Sequence, residues 1–246
     1  MTHKRLGRAL FALLLAIILL HPGAGAAEDT PHIALLTPGE GSRIVSPIQV
    51  SAEIQPEPGG LVRVELLDSQ GQAISRQLLR LDDVNGEPQA FTAELPFEIP
   101  ADEEDALLTL SILDRLFRPV ALRSARVTLL SNGDAQIEPY AGEEPWVTLT
   151  QPEPMDIVTG GQLTVAGTVT PLTESPVLLE LLDETGRVIG SRQVRVDTPG
   201  GSFDFEATLP YYYIKTFTDA RLVIRQAISP FNATAILDSI PIGAAP

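Results

Sequence analysis

Polar and apolar residues alternate along most of this chain with a period of two. Ile48, Val50, Ala52 and Ile54 are separated by Gln49, Ser51 and Glu53; further on, Leu163, Val165, Gly167 and Val169 are separated by Thr164, Ala166 and Thr168. Phe203, Phe205, Ala207 and Leu209 alternate in the same way with Asp204, Glu206 and Thr208. Successive side chains on a strand point to opposite faces, so each pattern predicts a strand with one buried and one wet face. About seven such strands are predicted in each of two long stretches, with Pro, Gly and Asp clusters between them and no helix after the N-terminal leader. The spacing predicts an all-β chain built as β-sandwiches.

The two stretches are copies of one another. ELLDSQGQAISRQ (65–77) returns 115 residues later as ELLDETGRVIGSRQ (180–193), matching at nine of thirteen positions once Gly190 is treated as an insertion. The match extends outward: SPIQVSAEI (46–54) lies over GGQLTVAGTV (160–169), FTAELP (91–96) over FEATLP (205–210), and RLFRPVAL (115–122) over SPFNATAI (229–236). A unit of about 100 residues is a domain and not a solenoid repeat. In each hairpin Val62, Val64 and Leu66, or Val177, Leu179 and Leu181, are expected to face a core, while Arg63, Glu65 and Glu180 face out. The turns DSQG and DETG then reverse the chain, with Asp accepting from backbone two residues on and Gly taking positive φ. Outward-facing Leu67, Leu178 and Leu182 remain as apolar surface, suited to a contact between the domains or with a partner.

The boundaries follow. Lys4, Arg5 and Arg8 precede an apolar run from Ala9 to Leu20, and Ala24-Gly25-Ala26 supplies a small-x-small cleavage pattern, so residues 1–26 read as a secretory signal peptide. An uncleaved anchor is the alternative, but twelve residues give about 18 Å of helix against a hydrocarbon core of about 30 Å. Domain 1 is placed at 30–130, domain 2 at 146–243, and SNGDAQIEPYAGEEP (131–145) reads as an exposed linker spanning about 20 Å, which predicts domains that move relative to one another. No membrane span is expected after signal cleavage, and the chain is expected in the cell envelope or outside the cell.

Charge narrows the partners. Removing residues 1–26 takes away three basic and no acidic side chains, leaving 14 Lys+Arg against 32 Asp+Glu and a formal charge of −18. Such a surface repels phosphate backbones and anionic headgroups, so nucleic acid is not an expected partner. With no cysteine, stability rests on packed cores without disulfides.

PGEGSRIVSPIQVSAEI, followed by VRVELLDSQGQ and FTAELPFEIP, resembles the immunoglobulin-like domain of bacterial spore germination and related cell-envelope proteins. Ser46-Pro47 and Val50 carry the family's Ser-Pro-x-x-Val strand; the second copy lacks the Ser-Pro but has the Val165-Ala166-Gly167 that the first replaces with Ala52. The resemblance covers nearly all of the chain after the leader, in two tandem copies. It implies exported immunoglobulin-like sandwiches and brings no catalytic residues with it.

Little in the sequence offers chemistry. His32 is the one histidine left after residue 26, at a frayed start, and a zinc site with no Cys and one His would need carboxylates throughout. No catalytic, cofactor or metal residues are expected, and a secreted hydrolase is the least favoured class because no insertion builds a cleft for paired carboxylates. The acidic runs Asp82-Asp83-Val84-Asn85-Gly86-Glu87 and Asp102-Glu103-Glu104-Asp105 are predicted in loops; neither has the D-x-[DN]-x-[DN]-G spacing of a calcium loop, and they read as solvated loops guarding edge strands. A calcium-stabilised structural spacer is therefore the alternative reading. Tyr211, Tyr212 and Tyr213, with Phe217 close by, form the one aromatic concentration. Consecutive strand residues cannot all point inward, so these are the candidate ligand-binding residues for a protein or cell-wall polysaccharide. Asn232-Ala233-Thr234 matches a glycosylation sequon and is read as chance. The expected function is non-catalytic binding or scaffolding by two sandwich modules.

Overall fold

The structure, a computed structural model, describes residues 30–81, 87–142, 145–212 and 216–246. The first half carries β1 (His32–Thr37), β2 (Ser42–Val45), β3 (Ile48–Gln55), β4 (Leu61–Leu67), β5 (Ala73–Arg80), β6 (Gln89–Leu95), β7 (Glu103–Leu113) and β8 (Pro119–Leu130). The second repeats the order as β9 (Val147–Gln151), β10 (Ile157–Val158), β11 (Gln162–Val169), β12 (Val177–Asp183), β13 (Val188–Val194), β14 (Phe203–Pro210), β15 (Thr218–Ile228) and β16 (Ala233–Ala244). No helix occurs among the described residues.

Each half packs a three-stranded sheet, β1-β3-β6 or β9-β11-β14, against a second sheet in which the first strand of the hairpin lies between its partner and β7 or β15. The short strands β2 and β10 leave the first sheet and pair in parallel with β8 and β16. This strand exchange and the Greek-key order are those of an immunoglobulin-like sandwich. The period-two positions fill the cores as expected: Val62, Val64 and Leu66 gather with Ile48, Val50 and Leu110 in the first, and Val177, Leu179 and Leu181 with Trp146, Val165 and Leu222 in the second.

Both hairpin turns form as their residues dictate. The Asp68 Oδ1 accepts from the Gln70 and Gln72 amides at 2.8 Å each, and Gly71 takes φ +79°. The Asp183 Oδ1 accepts from Thr185 and Arg187, and Gly186 takes φ +84°. The register shift after Leu66 and after Leu181 is the bulge that restores strand twist.

Several expectations are corrected. Glu65 does not face water; it is 6% exposed, held between Arg63 at 2.8 Å and Arg76 at 2.5 Å. Glu103, Glu104 and Asp105 open strand β7 instead of lying in a loop, with Glu103 paired to Arg43. Residues 82–86 lie outside the described residues. The segment after β8 does not hang free: Arg43 and Gln136 exchange two backbone hydrogen bonds of 2.8 Å, and the Tyr140 amide donates to the Leu36 carbonyl, so it runs bonded along the first half.

The halves, too, are joined where free movement was expected. Strand β16 pairs antiparallel with β8, Leu237 opposite Leu122 and Ile236 opposite Arg123, so that β13-β12-β15-β16-β8-β7-β4-β5 is one continuous sheet. The strand registers, Arg63–Ser111–Leu122 in one half and Leu178–Arg225–Leu237 in the other, set Leu122 over Leu237, one residue away from the sequence alignment of 115–122 with 229–236, and the two leucines face one another across a pseudo-twofold axis. The flanking bonds obey the same symmetry: the Ser124 hydroxyl donates to the Ala235 carbonyl and the Ser239 hydroxyl to the Val120 carbonyl, both at 2.6 Å. Beyond the axis, Leu67 and Leu107 pack with Ile228, Phe231 and Ala235, while Leu182 packs with Leu122, Val223 and Leu237. Leu67 and Leu182 therefore meet the other half, as one of the two sequence expectations had it, whereas Leu178 is in neither cluster.

Candidate functional site

The tyrosine run separates on folding. Tyr211 is 7% exposed and belongs to the second core, while Tyr212 is 73% exposed; Tyr213 lies outside the described residues. The inserted Gly190 explains the burial. A Cβ there would come within 2.6 Å of the Pro210 carbonyl and 2.9 Å of the Tyr211 Cβ, so only glycine lets the end of β14 approach β13 closely enough to tuck the ring inside. The Tyr211 hydroxyl has no hydrogen-bond partner among the described residues. Phe97, its counterpart in the first half, is buried likewise.

What the tyrosines do mark is an end of the molecule. The Tyr212 amide donates to the Ile189 carbonyl beside the β12–β13 turn. Phe217 and Ile157, 56% and 64% exposed, lie together over Gly243, where an added Cβ would meet the Phe217 ring at 2.7 Å and the Ile157 side chain at 3.3 Å. Met155 joins them through a hydrogen bond from its amide to the Pro241 carbonyl. Because β8 and β16 are antiparallel, the β7–β8 turn of the first half reaches the same end. Its Arg118 lies against Gly186, and with Asp114 and Arg115 it lines a depression shared with Asp183, Asp219 and Pro241. Leu116 and Phe117 stand exposed on that turn.

Phe117 sits at φ +62° and Met155 at φ +69°, a region where bulky side chains are rare and cost about 1–3 kcal/mol. At the first of these positions the second half uses Asn232, φ +48°, a residue suited to that backbone. The Asp114 carboxylate builds the turn, accepting from the Leu116 amide at 2.8 Å, the Arg118 amide at 2.9 Å and the Arg118 guanidinium at 2.7 Å. Burial works against its charge, but these donors outweigh burial and hold its pKa below the usual carboxylate value. Asp183 is depressed in the same way: desolvation opposes, and the Thr185 hydroxyl and amide with the Arg187 amide prevail.

Toward the opposite end a cleft of about 860 Å³ opens between the halves. Glu40, Arg126 and Tyr140 line it from the first half, and Thr173, Glu174 and Ser175 from the second. Glu40 and Arg126 form an ion pair there, and the Tyr140 ring lies directly on the Gly142 backbone, where a Cβ would stand 2.3 Å from the ring. Gln226, fully buried, holds the second wall: its side-chain carbonyl accepts from the Leu172 amide and its NH2 donates to the Thr173 and Ser175 carbonyls. The cleft is thus a fixed mixture of one ring, hydroxyls, acids and a guanidinium.

His32, Asp238 and Ser239 line one small depression, but Asp238 is bound in two-pronged fashion by Arg123, at 2.9 and 3.1 Å, and the Ser239 hydroxyl donates to Val120. Both are committed to the junction of the halves. Among the described residues no group of three or more His, Cys, Asp or Glu is close enough to hold a metal ion. No described helix is long and apolar enough to cross a membrane.

No family model matches the chain, and no curated protein matches it. Solved structures do: a chimeric titin Z1Z2–Z1Z2 tandem is 13% identical, with 87% of this chain and 98% of that one covered, at a TM-score of 0.25. A point mutant of the CFA/I enterotoxigenic E. coli adhesin CfaE is 10% identical, with 91% and 89% covered, at a TM-score of 0.24.

Proposed function

We propose that the chain is an exported, non-catalytic binding module of the bacterial cell envelope, whose two immunoglobulin-like domains (30–130 and 146–243, joined by 131–145 after a signal peptide of 1–26) hold a polysaccharide in the cleft between them. The observation that carries this reading is the cleft itself. It joins the Tyr140 ring, the Ser175 side chain and paired Glu40–Arg126 on walls locked together by a shared sheet, with the Thr173 hydroxyl bracing the second wall through the Ala227 carbonyl and the Ser175 amide. A ring face with a few fixed polar groups is the composition that orients a neutral, hydroxyl-rich ligand. A preformed cleft also spares the ligand the entropy of ordering its site. The resemblance to envelope modules of spore-forming bacteria supports the same location.

The test is retention of the purified chain on insoluble cell-wall glycan. Retention weakened roughly tenfold or more by Tyr140→Ala, about 1.4 kcal/mol, is the expected result. Equal retention of the native chain and of a Tyr140→Ala/Thr173→Ala variant would remove the cleft from the account.

A further inference from the structure

We propose that the end of the molecule carrying Phe117, Met155, Ile157, Tyr212 and Phe217 docks on an uncharged, zwitterionic lipid surface. Seven of the eleven large apolar side chains that stand exposed among the described residues gather there; Leu116 and Val188 are the other two. They come from four separate turns of a β-sandwich pair, the arrangement by which loop tips dip into a bilayer interface while the sheets stay in water. Three are aromatic, and Tyr212 brings a polar tip, the composition enriched at the headgroup boundary. Arg115 and Arg187, both exposed, stand beside them as long side chains that reach phosphate from the rim. Arg118 is held by Asp114, and Glu57, Glu184 and Asp219 lie in the same depression.

Two further observations point the same way. Phe117 and Met155 hold positive φ at a cost that Asn or Gly would avoid, and both are more than half exposed, so no packing in the structure compensates for them. The benefit lies in what the side chains touch outside this chain. Independently, Thr30, Pro31 and His32 lie along Pro152–Pro154, the turn that carries Met155. Residues 1–29, with the apolar run Ala9–Leu20, therefore join the described chain near this end. The formal charge of −15 selects the lipid: anionic headgroups repel the chain, and zwitterionic ones do not.

The experiment uses the complete chain as purified, sedimented with phosphatidylcholine–phosphatidylethanolamine vesicles. The chain is expected in the pellet, less so as phosphatidylglycerol replaces the neutral lipid. A Phe117→Ser/Ile157→Ser/Phe217→Ser variant, which carries the same N-terminus, is expected to lose at least tenfold in partition. Phe117→Asn keeps the test clear of misfolding: it is expected to raise the melting temperature, by relieving the backbone, while lowering partition. A fluorophore on Phe217→Cys, a unique thiol in a cysteine-free chain, is expected to shift blue on vesicles, whereas one on Leu172→Cys at the cleft is not. Equal sedimentation of native and triple variant, a native chain left in the supernatant, or capture of a protein through this end with no response to lipid would each overturn the proposal. Tyr140→Ala is expected to leave lipid partition intact, so failure here and failure at the cleft are told apart.

Discussion

Leu122 and Leu237 hold the same place in the two halves and pair with each other, and Ser124 and Ser239 make the same bond in opposite directions. One position further along, the copies part company: Arg123 stands where the second half has Asp238, and these two equivalent residues bind one another at 2.9 Å. Two like charges would face each other across the axis if the copies had stayed identical there. The difference therefore turns a symmetric contact into a directional one, which only a first half and a second half can make. Arg123 is fully buried, with its guanidinium also donating to the Leu122 and Leu237 carbonyls. An ion pair buried this way gives specificity more than net stability. Elsewhere the halves have diverged by exposure: Phe231 is covered by the first half's hairpin, while Leu116, its counterpart, stands in solvent at the apolar end.

The sharpest way to break this comparison is charge. Asp238→Ala leaves a buried guanidinium without its anion and is expected to lower stability by about 3 kcal/mol in denaturant unfolding. Exchanging the pair, Arg123→Asp with Asp238→Arg, is expected to recover most of that loss, because the pseudo-twofold axis carries each site onto the other. A double exchange no better than the single change would refute the symmetry. Next come the leucines. Leu122→Ala and Leu237→Ala are each expected to cost about 2–3 kcal/mol, and the double variant less than the sum, since the two side chains line one shared contact. Strict additivity would mean that they do not meet. The smallest effect is acid sensitivity. Asp114 and Asp183 titrate below their unfolded values, so the stability they contribute is present above about pH 4 and lost as pH falls through the depressed folded values. Melting curves of Asp114→Asn between neutral and acid pH are expected to show a shallower acid limb than the native chain; parallel limbs would contradict the assignment.

Much of the fold was legible because its causes are local. Alternation placed Val62, Val64 and Leu66 inward, and Asp68 with Gly71 and Asp183 with Gly186 announced their turns. The third turn escaped the same reasoning although Asp114 builds it identically, because Phe117 occupies the position where glycine is the usual signal. Which tyrosine turns inward was not legible without the meaning of Gly190, an insertion that reads as a blemish in the repeat until two backbones are seen to close over it. Glu65 was placed in water because alternation knows polarity but not the arginines on neighbouring strands. The join between the halves was visible only as surplus leucines. Which surface covered them depends on pairing between strands 115 residues apart, and no local pattern carries that. The cleft was invisible for the same reason, since Tyr140 and Thr173 become neighbours only after the halves meet.

The join also imposes an order of events. The bonds that make it link residues 111 to 119 positions apart, so they form only after both halves have folded, while β8 must wait with one side unpaired from the moment residue 130 is made. A bare edge strand invites whatever strand comes first. For a chain cut short after residue 142, the cheapest cover is the β8 of another copy, lying antiparallel with Leu122 on Leu122; there the two Arg123 side chains would meet, and repulsion would keep that wrong pairing brief.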